Sequence, residues 1–131
     1  MKAIWYEANG AARDVLTYGE MPTPEPGAGE VLVRLHASGV NPSDWKTRGG
    51  SRPMTAARII PHSDGAGVIS AVGSGVDSSR IGTRVWVWNG QWKRPFGTAA
   101  EFIALPSAQA MPLPDSVSFE AGACFGIPVL T

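Results

Sequence analysis

Short stretches in which apolar and polar residues alternate recur along the chain, and they predict β-strands. The clearest covers residues 30–38, where every second residue from Val31 to Ala37 is apolar and only Leu32 breaks the alternation. This period-two pattern is typical of a strand that buries one face. Further strands are predicted over residues 2–7, 67–72, 83–89 and 99–105, with a shorter extended segment over 109–113.

Helical signals are few and brief. Asn41 followed by Pro42 provides an N-cap residue and a proline in the first helical turn, and the glycine pair 49–50 would end that helix. Ser118 is a second N-cap, with Glu120 in the first turn, and predicts a helix of small residues running toward the last residues. Short strands with brief helices predict a mainly β (α+β) fold, a partly closed β-barrel with helical excursions.

Composition narrows the class of protein. The chain has 131 residues, which suits one domain, and its 16 glycines and 11 prolines suit a turn-rich β structure. Eleven basic and eleven acidic residues give a formal net charge of zero, which argues against nucleic acid or an anionic membrane as a partner. No run approaches the roughly 18 apolar residues of a membrane span. Weak charge repulsion leaves room for a homodimer.

A single cysteine, Cys124, excludes an internal disulfide and indicates a reducing, cytoplasmic location. It lies in a run of small apolar residues, 121–125, and is interpreted as a buried thiol. A catalytic thiol is the alternative, but it would need a nearby base, and both histidines are distant in sequence. No signal peptide is expected, since Lys2 and Glu7 interrupt any apolar leader.

Six segments in a fixed order carry a family resemblance over the whole chain. They are 39–44 (GVNPSD), 61–69 (PHSDGAGVI), 71–76 (AVGSGV), 82–85 (GTRV), 97–102 (GTAAEF) and 122–128 (GACFGIP). In this order they resemble the front half of the medium-chain dehydrogenase/reductase superfamily, and within it the zeta-crystallin-like NADPH:quinone oxidoreductases. The resemblance implies a GroES-like barrel of the kind that packs against a Rossmann domain.

The same comparison argues against zinc. Zinc-dependent members place a Cys where this chain has Asn41, and a His followed by a Glu where it has Ser63 and Asp64. A catalytic zinc needs about three ligands drawn from Cys, His and carboxylates, and Asn and Ser are poor substitutes. His62 lies one residue too early in this alignment and is interpreted as a hydrogen-bonded or surface loop histidine. We therefore expect no metal site.

Without zinc to polarise a carbonyl, the expected substrate is an electrophilic acceptor such as a quinone or an enone, with NADPH as the hydride donor. The resemblance implies catalytic positions at Asn41 and Ser43, and cofactor contacts at Asn41, Pro42, Lys46 and Thr131. Alternatives stay open at each: Asn41 could only cap its helix, and Ser43 could cap or merely line the cleft. Lys46 replaces a family tyrosine and could bind a phosphate or remain solvated, with Arg48 as another candidate cation.

The dinucleotide fingerprint is not found in the chain. The Gly-x-Gly pairs 65–67 and 73–75 lack the third glycine and a surrounding βαβ unit, so they are interpreted as turn and packing glycines. We expect that the Rossmann domain is absent, that the chain is cut before it, and that the chain alone binds NADPH weakly and is inactive. The alternative is a stand-alone GroES-like binding or oligomerisation module.

Four tryptophans complete the prediction. Trp86 and Trp88 alternate with valines, so both should face one side of a strand, in packed positions. Trp92 falls in a loop, where it could form a wall for an aromatic substrate. Trp45 follows Asp44 in the first helix, and Asp44 is expected to bond the loop backbone.

Overall fold

A computed structural model describes all residues, 1–131, and contains seven strands and four short α-helices. The strands are β1 (Lys2–Trp5), β2 (Thr17–Glu20), β3 (Glu30–Gly39), β4 (Asp64–Val72), β5 (Arg84–Val87), β6 (Phe102–Pro106) and β7 (Ala110–Pro112). The helices are α1 (Ala12–Val15), α2 (Pro42–Lys46), α3 (Phe119–Gly122) and α4 (Ile127–Leu130). A π-type turn follows α2 over Thr47–Ser51, and 3₁₀ turns occupy Ser78–Arg80 and Ser107–Gln109. None of the helices combines the length and the apolar character that a membrane-spanning helix requires.

Five strands form one antiparallel sheet in the order β6-β3-β4-β5-β7, and β1 pairs with β2 in a second, two-stranded sheet. An isolated bridge between Ala3 and Ala100 ties the small sheet to the segment before β6. No ladder joins β6 to β7, so the large sheet stays open between its two edges. The mainly β class with short helices is confirmed.

All five strands of the large sheet contribute to its main core. The alternation seen in residues 30–38 is the reason β3 lies at the centre of this packing, since Val31 and Val33 are fully buried. Each buried aliphatic side chain of this kind stabilises the fold by roughly 1.5–3 kcal/mol. The cluster consists of Val31, Val33, Ile69, Val85, Val87, Ile103, Leu105 and Ala110.

The predicted helices differ from the observed ones at their ends. The first does not stop cleanly at the glycine pair: a π-type turn continues it to Ser51, with Gly50 in the left-handed region at φ 106°. The second breaks into α3 and α4, because Gly126 between them takes a non-helical ψ of −103°. Its start is as predicted, since the Ser118 hydroxyl accepts a hydrogen bond from the Ala121 N–H at 3.1 Å.

The positions of Cys124 and Trp86 bear on two predictions made from the sequence. Cys124 is exposed, so the prediction of a buried thiol is wrong. The core position is taken instead by Ala123, which packs with Ala66 and Leu113. Trp86 lies on the face of β5 opposite its buried valines, as predicted, and its ring meets the edge of another aromatic ring at 5.9 Å.

Candidate functional site

Asp64, at the start of β4, is the residue that joins the separate parts of the candidate site. Its side chain is buried, and its carboxylate accepts a hydrogen bond from the Asn41 side-chain amide at 2.8 Å. Both carboxylate oxygens also accept from the Ile127 N–H, at 3.0 and 3.1 Å. Gly126 passes so close that a Cβ there would lie 2.1 Å from the carboxylate. The N-terminus of α2 and the start of α4 are therefore held together by one carboxylate.

Asn41 occupies the N-cap of α2, and it is buried. Its backbone N–H donates to the Asp44 carboxylate at 2.7 Å, which completes a capping box and fixes the first turn of the helix. Pro42 follows at the first helical position, where its missing N–H costs nothing. The capping role expected for Asn41 is thus combined with a second one, since its amide nitrogen is bound to Asp64.

Two buried carboxyl groups lie at this end of α2, those of Asp44 and Asp64, and burial is the main cause of the pKa shift of each. Removal from water raises the pKa of Asp64 above its ordinary value, while the Asn41 amide and the Ile127 N–H act in the opposite direction. Burial likewise raises the pKa of Asp44, the Asn41 backbone lowers it, and the nearby Asp64 carboxylate adds to the rise. The two groups therefore resist becoming a pair of negative charges.

A small polar cavity of about 120 Å³ opens beside α2. Hydroxyl and amide groups dominate its wall, so it offers several neutral donors and acceptors to a small polar group. Ser43 faces it from α2, Ser63 from the segment before β4, and Gln91 from the loop after β5. The full lining is Ser43, Asp44, Thr47, Ser63, Asn89, Gln91 and Trp92.

The remaining residues of the predicted site lie on the surface. Lys46 is exposed at the end of α2, with its ammonium 5.6 Å from the centre of the Trp45 ring. Pro42 is also exposed. Thr131 is exposed, and its hydroxyl donates to the Ile127 carbonyl one turn earlier. No direct hydrogen bond joins Lys46 or Thr131 to the Asn41 group, although Thr131 belongs to the segment that Asp64 holds.

The side chains that usually bind metal ions are not clustered in this structure. No set of three or more His, Cys, Asp or Glu residues is arranged to hold a metal ion. Two positions of this chain were compared above with zinc ligands of zinc-dependent medium-chain dehydrogenases/reductases. At the first, the Asn41 amide is hydrogen-bonded to Asp64, and at the second, Ser63 is half-buried.

Sequence reasoning missed a chain of hydrogen bonds behind the site. His62 Nδ1 lies 3.0 Å from the Ser38 hydroxyl, which is 2.8 Å from the Thr98 hydroxyl. Thr98 in turn donates to the Asp64 backbone carbonyl at 2.6 Å. Thr98 lies in the GTAAEF segment, but no local pattern marks a threonine that contacts residues 34 and 60 positions away. His62 is hydrogen-bonded in a loop, in agreement with its interpretation.

The pKa of His62 supports a prediction about stability. Burial is the main cause that lowers this pKa below its usual value, and the Arg48 charge adds to it. The folded protein therefore resists protonation, so the contribution of neutral His62 is complete above about pH 6.5 and is lost as pH falls through the lowered folded pKa. In urea titrations between pH 8 and 5, wild type should lose more stability than H62G. Parallel pH curves for the two proteins would contradict this.

Comparison with known proteins agrees with this architecture. The model of the alcohol dehydrogenase GroES-like domain matches residues 27–115. A quinone oxidoreductase of Rattus norvegicus is 33% identical over 132 residues, covering 100% of this chain and 39% of the relative. A trans-enoyl reductase of Aspergillus terreus is 36% identical over 124 residues, covering 88% of this chain and 41% of the relative.

A solved structure points the same way. The chain matches a mycobacterial protein complexed with NADPH at a TM-score of 0.81 and 30% identity, over 94% of this chain and 37% of that one. The chain spans about two fifths of the length of the quinone oxidoreductase and of the trans-enoyl reductase that it matches.

Proposed function

Because the chain belongs to the alcohol dehydrogenase GroES-like domain family, in the quinone oxidoreductase-like part of the medium-chain dehydrogenase/reductase superfamily, we propose that it is the substrate-facing domain of a zinc-independent, NADPH-dependent reductase of quinones or enones. The observation that carries the proposal is the small polar cavity beside α2, lined by Ser43 and Ser63. Relatives named as quinone oxidoreductase and trans-enoyl reductase support an activated carbonyl or alkene as acceptor.

The lining of the cavity suits an acceptor whose oxygen gains charge during the reaction. When bound, NADPH supplies the hydride. The Ser43 and Ser63 hydroxyls and the Gln91 amide are uncharged donors that can stabilise a developing negative charge on a carbonyl oxygen. Asp64 holds Asn41 and α2 in place, and thereby positions Ser43 without contacting the reacting atoms.

Binding of NADPH is proposed to need more surface than this domain offers. A cavity of about 120 Å³ holds a carbonyl-sized group and not a dinucleotide. Lys46 is exposed and free of ion pairs, so it suits a phosphate, and the Thr131 hydroxyl lies at the surface of the neighbouring segment. These residues would form one side of a cofactor cleft, with Asn41 and Pro42 at the helix start.

Exposed apolar side chains support a second domain as the other side of that cleft. Val40 precedes α2 and Trp45 lies within it, and Val129 and Leu130 lie on α4; each is more than half exposed. Asp64 brings these two segments to one place by binding both Asn41 and Ile127. Apolar groups gathered at one site mark an interaction surface. We infer that a nucleotide-binding domain docks there.

Zinc independence is proposed on the chemistry of the donor set. An amide engaged with a carboxylate and a serine hydroxyl are weak ligands for zinc, which prefers thiolate, imidazole and carboxylate. The cytoplasmic location and the homodimer expected from the sequence remain predictions.

Two measurements test the proposed function. In a fluorescence titration, the Kd of the 131-residue chain for NADPH should exceed about 100 µM. A Kd in the low micromolar range would overturn the proposal that NADPH binding needs a second domain. The longer protein, read from the coding sequence past Thr131, should contain a strand followed by a Gly-x-Gly-x-x-Gly turn. It should oxidise NADPH with 1,4-benzoquinone, unaffected by 1,10-phenanthroline.

The role of the cavity is tested in that longer protein by S43A. Loss of one uncharged donor should lower kcat about tenfold or more while the melting temperature stays unchanged. The matched control is S74A, which removes the hydroxyl of an exposed serine that does not line the cavity. Equal kcat values for S43A and S74A would exclude Ser43 from the reaction, and a stop codon directly after Thr131 would favour a binding or oligomerisation module.

A further inference from the structure

We propose that the chain has a second ligand site, separate from the cavity beside α2, in which His62 accepts a hydrogen bond from a small neutral phenol. The site is a shallow cavity of about 410 Å³, widely open to solvent, between β1, β3 and the segment before β6. Its lining includes His62, Ser38 and Thr98 and shares no residue with the cavity beside α2. The proposal does not depend on the reductase function.

The hydrogen-bond chain behind the cavity fixes which His62 nitrogen carries the proton. The Asp64 carbonyl can only accept, so the one Thr98 hydroxyl proton is directed to it. At 2.8 Å from Thr98, the Ser38 hydroxyl must then donate to the Thr98 oxygen, because otherwise two lone pairs would face each other. Ser38 has no second proton to offer His62, so the Nδ1 of His62 is the donor across their 3.0 Å contact.

A neutral histidine with a proton on Nδ1 has a bare lone pair on Nε2. No group of the chain hydrogen-bonds to that atom. It is also not enclosed, since the only buried side-chain nitrogen or oxygen without a partner is Arg94 Nη1. The lone pair of Nε2 is therefore not sealed inside the protein, and because His62 lines the cavity we assign this atom as the acceptor for the hydroxyl of the ligand.

The backbone at His62 is a second, independent observation. His62 has φ 78°, in the left-handed region that glycine adopts freely and that a histidine adopts only with strain. Its carbonyl is packed so closely on Gly97 that a Cβ on Gly97 would lie 2.1 Å away. Strained residues of this kind concentrate at binding sites. The chain therefore has a histidine at a position whose backbone conformation glycine would adopt with less strain.

The other walls select the ligand class. Apolar side chains cover much of the lining, including Ile4 and Leu35, which suits one aromatic ring. The charged groups there, Lys2 and Glu101, are opposite in sign, and Lys2 is paired with Glu20. A neutral ring that carries one hydroxyl donor therefore fits this cavity better than an anion does.

Titration of the 131-residue chain, followed by amide NMR, tests the proposal with phenol and with anisole, which lacks the hydroxyl proton. Phenol should give saturable shifts at residues around 35–38 and 98–101, with anisole at least tenfold weaker. H62G should lower phenol affinity to the anisole level, and its fold should survive because glycine suits φ 78°. The matched control is H36A, which removes the other histidine of the same lining.

Nitrogen-15 spectra of the histidines in the wild-type protein supply a measurement that needs no variant. At pH 8, His62 should show a protonated Nδ1 and a bare Nε2, and phenol should move the Nε2 resonance upfield. A protonated Nε2, equal binding of phenol and anisole, unchanged phenol affinity in H62G, or no shifts with phenol would each overturn the proposal.

Discussion

Replacing Asp64 with alanine should lower the free energy of unfolding by about 3 kcal/mol, or roughly 10 °C in melting temperature. The substitution leaves two donors without an acceptor: the Asn41 amide and the Ile127 N–H. An unpaired buried donor costs about 1–3 kcal/mol. Part of this destabilisation is offset, because D64A also removes a carboxylate whose burial is unfavourable, as the raised pKa of Asp64 indicates.

The pH dependence of D64A gives this prediction a second signature. Because the folded pKa of Asp64 is raised, protonation favours the folded state, and this contribution is present at low pH and lost as pH rises through the folded pKa. The deficit of D64A should therefore be larger at pH 4 than at pH 8.

Urea titration with tryptophan fluorescence measures both effects. D14A is the matched control, since Asp14 is exposed and makes only a surface ion pair, and its change should stay below about 0.5 kcal/mol. Equal stabilities of D64A and D14A would show that Asp64 does not hold α2 to α4.

The second large effect is expected for G67A, which should lower the free energy of unfolding by at least about 4 kcal/mol and reduce the yield of folded protein. Gly67 pairs with Leu35 where the register of β3 and β4 shifts. A Cβ on Gly67 would lie 2.0 Å from the Arg34 carbonyl oxygen and 2.9 Å from the Leu35 Cα. Both atoms are backbone, so the clash is relieved only by separating the two strands.

The control for G67A is G49A. Gly49 lies in the turn after α2, has nothing within 4 Å of the Cβ position and needs no positive φ. The alanine should change stability by less than about 0.5 kcal/mol, because neither space nor backbone opposes it. Denaturant midpoints and slopes for the two variants make the comparison. A G67A protein within about 1 kcal/mol of wild type would contradict the close approach of β3 and β4.

Local patterns predicted those parts of the fold that local interactions determine. The alternation in residues 30–38 gave β3 with its buried Val31 and Val33, and Asn41-Pro42 gave the start of α2. These features depend on neighbours within a few residues, which a single sequence displays. The break between α3 and α4 escaped prediction, because Gly126 is shaped by its contact with Asp64.

The candidate site was predictable only in part. Asn41 and Ser43 were predicted as site residues from the resemblance, and the structure places them at the start of one helix. The role of Asp64 was not found, since its partners lie 23 and 63 positions away in sequence. The prediction for Cys124 was wrong for a related reason: in the run of small residues that follows α3, the burial of Ala123 instead of its neighbour depends on the packing partners Ala66 and Leu113.

The open edges of the large sheet bear on how copies of this chain can meet. Strands β6 and β7 end in Pro106 and Pro112, and proline has no N–H to donate to an added strand. Both edges are also short, with five and three residues. Short, proline-ended edges protect a sheet against edge-to-edge aggregation. For a chain with a formal net charge of zero, and so with little charge repulsion between copies, the two prolines and the short edges oppose strand pairing between copies at these edges.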